Sequence, residues 1–165
     1  MKKYLILACS ALFFATSCLM GGGSSGSSSS SYYGKLTVSD ISTGEVSYSI
    51  NDALVEVSIP DVIVPKFDFI FNNVKFDAAM PVQLCLEISN VPFVSTVSED
   101  ETTLNYIFKG ENIVPTVGGK AYDKYKVSII EGCISTTIDI TFVIPSKNKR
   151  VYFTTAKDGI PTPEN

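Results

Sequence analysis

The sequence predicts an all-β domain built as a single antiparallel up-and-down β-barrel, and three observations lead to this fold class. Apolar and polar residues alternate with a period of two along most of the chain after residue 32, which is the pattern of half-buried strands. Clusters of Asn, Asp, Ser and Gly separate these runs, and prolines stand at their margins, where a missing N–H costs no ladder hydrogen bond. No window shows the 3.6-residue stripe of an amphipathic helix.

The first seventeen residues indicate an export signal. Lys2 and Lys3 precede a mostly apolar run over residues 4–14, which is too short to span the ~30 Å hydrocarbon core of a bilayer. Small residues then lead to Cys18, and this predicts cleavage directly before the cysteine. The segment resembles the lipobox of bacterial lipoproteins, in which the sulfur of that cysteine carries diacylglycerol. The resemblance implies lipid attachment at Cys18, and an ordinary cleavage site without acylation is the alternative.

Residues 18–31 are predicted to form a tether between the membrane and the folded domain. The segment is rich in Gly and Ser, a composition that behaves as a random coil because it buries little apolar surface. Several acyl chains give a stable anchor, so the membrane is the first expected partner. In bacterial lipoproteins, acidic residues after the modified cysteine often redirect sorting, and residues 19–23 contain none. This implies the outer membrane, with its periplasmic face favoured over the cell surface.

The folded domain is predicted over residues 32–157, and residues 158–165 form a C-terminal tail. In chain order, the alternating runs cover residues 33–38, 46–50, 55–59, 67–71, 82–88, 104–108, 125–129 and 133–144. The predicted turns between them are Asn51-Asp52, Asn72-Asn73, Ser89-Asn90, residues 98–101 and Gly118-Gly119. Roughly nine or ten strands of about five to eight residues at hairpin spacing follow from this pattern.

The apolar faces of these strands must meet, either in a closed barrel or between two stacked sheets. The run from Gly132 to Ile144 would span about 40 Å as one strand at ~3.4 Å per residue, which favours a tilted barrel strand. A two-sheet β-sandwich is the alternative. A lipobox, a serine tether and an opening strand over residues 33–38 together resemble the calycin-like β-barrel domains of small bacterial lipoproteins. That resemblance implies a lipocalin-related barrel of unassigned function.

Composition excludes several classes of function. The chain has 13 Lys and Arg against 17 Asp and Glu, and loss of Lys2 and Lys3 with the leader gives a net charge of about −6. No nucleic-acid partner is expected, because such binding depends on Lys and Arg neutralising phosphates. The chain has no histidine, which excludes Ser-His-Asp, Cys-His and His-ligated zinc sites. No catalytic residue, metal site or cofactor is predicted, and the protein is expected not to be an enzyme.

Two cysteines, Cys85 and Cys133, lie inside the predicted domain, and both fall on the polar phase of their strands. In an exported protein such a pair predicts a disulfide. The bond would close a 48-residue interval and would be worth about 4 kcal/mol by chain-entropy arguments. The alternative is two unpaired thiols on separate strands.

Seven aromatic residues at strand period are candidates for lining a ligand cavity in the barrel, and the alternative is that they form a plain core. They are Phe67, Phe69, Phe71, Tyr106, Phe108, Tyr125 and Phe142. The predicted function is a membrane-anchored, non-enzymatic lipoprotein whose barrel binds a small apolar ligand or an envelope protein. The alternative is a structural, adhesive or inhibitory envelope protein that acts through its loops and has a filled core. A third reading, glycoside hydrolysis by paired carboxylates, would draw on Glu56, Asp68, Glu87, Glu131 or Asp139.

Overall fold

A computed structural model describes residues 28–60, 63–98 and 101–155. Its strands are β1 (Ser28–Asp40), β2 (Val46–Ile59), β3 (Lys66–Val74), β4 (Leu84–Val97), β5 (Leu104–Ile113), β6 (Thr116–Val117), β7 (Lys120–Ala121), β8 (Val127–Ile134), β9 (Ile138–Ile144) and β10 (Lys149–Thr154). Two short 3-10 turns cover Asp123–Tyr125 and Pro145–Lys147. The predicted leader, Cys18 and the C-terminal tail lie outside the described residues. Within those residues, no helix has the length and apolar character needed to cross a bilayer.

Eight strands close into an antiparallel up-and-down barrel in the order β3-β2-β1-β10-β9-β8-β5-β4, and β4 pairs with β3 to complete the ring. The two remaining strands, β6 and β7, form a small hairpin that pairs with Leu86 and Glu87 of β4. The predicted all-β class and the single antiparallel barrel are confirmed. The two-sheet sandwich does not form.

Because neighbouring strands run in opposite directions, their connections lie at two ends of the barrel. We call the end at which β1 begins and β10 finishes the terminal end, and it carries connections 60–65, 98–103 and 135–137. We call the opposite end the distal end, and it carries connections 41–45, 75–83, 114–126 and 145–148.

The interior of the barrel is filled by apolar side chains from all eight strands. The largest fully buried residues include Phe69, Phe71, Phe108, Phe142 and Phe153. The ring centroids of Phe69 and Phe108 are 4.8 Å apart, and those of Phe71 and Phe142 are 4.9 Å apart. Full burial of one such side chain contributes about 1.5–3 kcal/mol, so these contacts form the main stabilising core.

Three of the predicted turns are β-bulges inside continuous strands. In each bulge, two residues face one residue of the neighbouring strand. Asn51-Asp52 faces Lys35, Asn72-Asn73 faces Cys85, and Ser89-Asn90 faces Asp68. Asn73 and Asn90 have φ angles of 56° and 63°, in the left-handed region that Asn enters more readily than most residues. The chemistry that favours a turn therefore also permits a bulge, and bulges bend and twist the strands of a closing barrel.

The run from Gly132 to Ile144, predicted as one strand of about 40 Å, is two strands of a hairpin. Residues 135–137 connect β8 to β9, and the Ser135 N–H donates to the Thr137 carbonyl oxygen at 2.8 Å. Ile134 and Ile138 face each other across this hairpin and are both buried. The apolar and polar residues keep alternating through this connection, so the sequence pattern did not show that the chain reverses direction there. The expectation of a single strand of about 40 Å was therefore wrong, although the barrel that it favoured is the observed fold.

The first strand begins at Ser28, inside the segment 18–31 that the sequence assigned to the tether. Its first residues, Ser28–Ser31, pair with Glu56–Ile59 of β2. A run of serines has no apolar alternation, so it carries no side-chain signal of a strand. The pairing of Ser28–Ser31 with β2 therefore depends on backbone hydrogen bonds and not on an apolar side-chain pattern.

Candidate functional site

A cavity of about 270 Å³ lies in the barrel wall beside β1, β2 and the end of β3, and we call it the wall pocket. Its lining residues are Tyr33, Leu36, Ile50, Asp52, Ala53, Leu54, Asn72, Asn73, Val74 and Gln83. Four consecutive strands or their flanking residues supply this set. The pocket is therefore a property of the folded wall, and no single sequence segment forms it.

The wall pocket lies where the ladder between β2 and β3 ends. The last paired residues are Leu54 and Asn72, and the bulges Asn51-Asp52 and Asn72-Asn73 adjoin this point. Further toward the distal end, the chain after β3 contacts β2 again, since the Ser47 hydroxyl donates to the Phe76 carbonyl oxygen at 3.2 Å. Two bulges thus bend neighbouring strands where their pairing stops, and the space between them forms the pocket.

The wall pocket has an apolar floor and a polar rim. Leu36, Ala53 and Val74 form the floor and belong to the buried core. At the rim, Tyr33 is 65% exposed, and Asp52 also reaches solvent. This combination of buried apolar surface with a few polar groups is typical of ligand sites.

Hydrogen bonding divides the polar side chains of the wall pocket into two groups. The Asn72 amide nitrogen donates to Glu56 at 2.9 Å, and its oxygen lies 3.5 Å from the Cys85 thiol, which donates to it. Within the described part of the chain, the side chains of Asp52, Asn73 and Gln83 make no hydrogen bond or ion pair. A carboxylate and two amides therefore keep their acceptors and donors available for a ligand.

The charge at the wall pocket is negative. Asp52 lines the pocket, and Glu56 lies beside it through the bond to Asn72. None of the lining residues is basic, although Lys35 opposes the Asn51-Asp52 bulge on the neighbouring strand. Like charges at short range are unfavourable, so the site favours a ligand without negative charge.

Comparison with protein-family models, curated proteins and solved structures finds no match for the chain.

The seven aromatic residues predicted as a cavity lining pack against other rings, and none of them lines the wall pocket. Phe67, Phe69, Phe71, Phe108 and Phe142 are core residues. Tyr125 contacts Phe76 at the distal end, with 5.0 Å between ring centroids. Tyr106 contacts Phe93 toward the terminal end at 5.5 Å. The alternation identified the inward face correctly, but these rings fill the interior.

Both domain cysteines are free thiols. Cys133 of β8 is paired with Ile107 of β5, and Ile107 is paired in turn with Val94 of β4. Val94 therefore marks the position on β4 that is level with Cys133. Cys85 precedes Val94 by nine residues on the same strand, roughly 30 Å along it at ~3.4 Å per residue. A disulfide requires Cα atoms about 4.4–6.8 Å apart, so the structure has the unpaired thiols and not the predicted bond.

The two thiols differ in their surroundings. Cys85 is exposed beside Asn72 at the edge of the wall pocket. Cys133 is half-buried, and burial followed by the nearby Asp139 carboxylate raises the pKa of its thiol. Cys85 is therefore the more accessible of the two, and it offers a chemical reporter for the pocket.

Of the carboxylates considered for catalysis, Glu131 of β8 and Asp139 of β9 are diagonal neighbours across their ladder, and four of the five accept hydrogen bonds from nearby residues, as Glu56 does from Asn72. Asp68 accepts from the Asn90 N–H at 2.7 Å, and Glu87 accepts from the Thr116 hydroxyl at 2.7 Å. Asp139 accepts from the Tyr152 hydroxyl at 2.8 Å. The described residues contain no cluster of three or more His, Cys, Asp or Glu side chains arranged to hold a metal ion.

Proposed function

We propose that this protein is a lipid-anchored, non-enzymatic protein of the bacterial envelope that binds a small ligand in the wall pocket. The observation that carries the proposal is a cavity of about 270 Å³ that combines a buried apolar floor with unbonded polar side chains. Its volume lies near the lower end of the ~300–1,000 Å³ range of ligand pockets. The ligand is therefore a compact molecule.

The lining residues restrict the chemistry of that ligand. Asn73 and Gln83 each present an amide with donors and an acceptor, whereas Asp52 presents acceptors alone. A matching ligand carries hydroxyl or amide groups on one side. On its other side it has an apolar surface that packs against Leu36 and Val74. It carries no negative charge, because Asp52 would repel it.

The anchor is the second part of the proposal, and it is supported by the sequence around Cys18. The barrel is consistent with the calycin-like lipoproteins that the leader and tether resemble. Since β1 begins at Ser28, nine residues of the sequence separate Cys18 from the first strand of the barrel. The terminal end would then face the outer membrane on its periplasmic side, and the wall pocket would open to the side.

Native mass spectrometry of the full chain, purified from its own host and released from detergent micelles, tests the ligand site. We expect a small molecule to remain bound to the wild-type protein and to be lost from Gln83→Trp, whose indole fills the pocket. Val82→Trp is the matched control, because Val82 is 61% exposed and does not line the pocket. Retention of the ligand by Gln83→Trp, or a wild-type protein that carries none, would count against the site.

The filled interior favours a second candidate, a structural, adhesive or inhibitory envelope protein that acts through its outer surface. In that case cross-linking in cells would capture a protein partner. Gln83→Trp would leave this capture unchanged, and substitutions in the distal connections would remove it. The two candidates therefore predict opposite responses to the same pocket variant.

A further inference from the structure

A group of lysines at the distal end takes no part in the wall pocket. Lys120, Lys124 and Lys126 belong to the connection 114–126, and Lys147 belongs to the connection 145–148. Asp123 is the one acidic residue in these two segments. These two connections thus carry four positive charges and one negative charge, although the protein has more acids than bases. The other two distal connections contribute Glu45, Asp77 and Lys75.

These lysines have no carboxylate partner among the described residues. Among the residues that the structure describes, the ion pairs join Lys109 to Glu111 and Lys149 to both Asp40 and Asp77. None of them involves Lys120, Lys124, Lys126 or Lys147. Their positive charge is therefore available for an external anion.

Two of the lysines are held together beside an aromatic pair. The Ser146 hydroxyl donates to the Lys124 carbonyl oxygen at 2.7 Å, which ties the two distal connections to each other. The Lys147 ammonium lies 5.4 Å from the centroid of the Tyr125 ring, within the range of a cation–π contact. Tyr122 stacks on Tyr125 with 5.1 Å between ring centroids, and 39% of Tyr122 is exposed.

Burial, and after it the positive charge of Lys124, lower the pKa of Lys147. Like charges repel each other, and a bound anion would offset that repulsion.

We propose that the distal patch, defined as Lys120, Lys124, Lys126, Lys147 and Tyr122, binds the carboxylate groups of an acidic polysaccharide. The patch spans two connections on an open surface, which suits a polymer with repeated charges better than one small anion. The exposed face of Tyr122 offers a surface on which the C–H face of a sugar ring packs. This inference is independent of both the wall pocket and the lipid anchor.

Calorimetric titration of the full chain in neutral detergent with oligomers of alginate, a polyuronate, tests the proposal. We expect binding at low salt that weakens as salt rises. The double variant Lys124→Gln/Lys147→Gln should weaken it about tenfold, a few fold for each exposed charge contact. Lys35→Gln/Lys66→Gln removes the same charge near the terminal end and should keep the wild-type affinity.

Two further probes separate a sugar from a general polyanion. Tyr122→Ala should weaken alginate binding several fold, because it removes the stacking surface while leaving the charges. Poly-glutamate should bind more weakly than alginate of equal charge, and neutral dextran should not bind. Equal losses in the two double lysine variants, equal affinity for poly-glutamate and alginate, or no alginate binding would each overturn the proposal.

Discussion

Replacing Phe69 by alanine measures whether the barrel interior is a packed core or a ligand cavity. Phe69 is fully buried, and its ring centroid lies 4.8 Å from that of Phe108 and 5.7 Å from that of Phe67. Truncating such a ring removes its apolar contacts and leaves a void, which costs about 3–5 kcal/mol. If Phe69 lined an open cavity, one face would already lack contacts, and the cost would fall to about 1.5 kcal/mol or less.

Urea unfolding followed by far-ultraviolet circular dichroism gives this free-energy difference. Small domains unfold with about 5–15 kcal/mol in total, so the expected loss is a large and measurable fraction. Val94→Ala is the control, because Val94 is 61% exposed and its truncation should change stability by no more than about 0.5 kcal/mol. A loss below about 1.5 kcal/mol for Phe69→Ala, with an unchanged denaturant slope, would refute the filled core.

Three shorter predictions test the anchor, the thiols and the strand packing. Cys18→Ser should move the protein from the membrane fraction to the soluble fraction, and continued membrane association would overturn lipid attachment at Cys18. Cys85 should react with iodoacetamide faster than Cys133 near neutral pH, because burial and Asp139 raise the pKa of the Cys133 thiol and lower its thiolate fraction. Asp139→Asn should speed labelling of Cys133 alone, as peptide mass spectrometry would show. Gly132→Ala should lower the free energy of unfolding by about 1–3 kcal/mol through overpacking. The added methyl group would overlap the Asp139 carbonyl oxygen and lie 2.6 Å from the Phe108 ring. A variant that melts at the wild-type temperature would contradict this.

The fold class was predictable because successive residues of a barrel strand point alternately into the core and toward solvent, so the sequence alternates between apolar and polar residues. Residues 67–71 show this directly, with buried Phe67, Phe69 and Phe71 alternating with half-buried neighbours. The path of the chain was less predictable, since Asn permits a left-handed backbone in turns and bulges alike. For this reason the Asn72-Asn73 dipeptide predicted a turn where the strand in fact continues through a bulge.

The candidate site could not be predicted from the sequence, because it depends on two bulges meeting across a ladder. Asn51-Asp52 and Asn72-Asn73 are about twenty residues apart in the chain, and the pairing of Leu54 with Asn72 brings them together. A local pattern carries no information about this register. The one available signal was the presence of Asn-rich dipeptides inside otherwise regular strands.

Asn73 separates the structural role of the second bulge from a role in ligand binding. Glycine adopts a φ of 56° with less strain than asparagine, so Asn73→Gly should preserve the bulge and the stability of the barrel. It also removes an unbonded amide from the wall pocket, and loss of one hydrogen bond worth about 0.5–1.5 kcal/mol should weaken the co-purifying ligand about two- to tenfold. Asn90→Gly is the matched control, because Asn90 has a φ of 63° in a bulge of the same kind and does not line the pocket. If the two variants retain the ligand equally in native mass spectrometry, the bulge serves the closure of the barrel alone and the Asn73 amide is not part of the site.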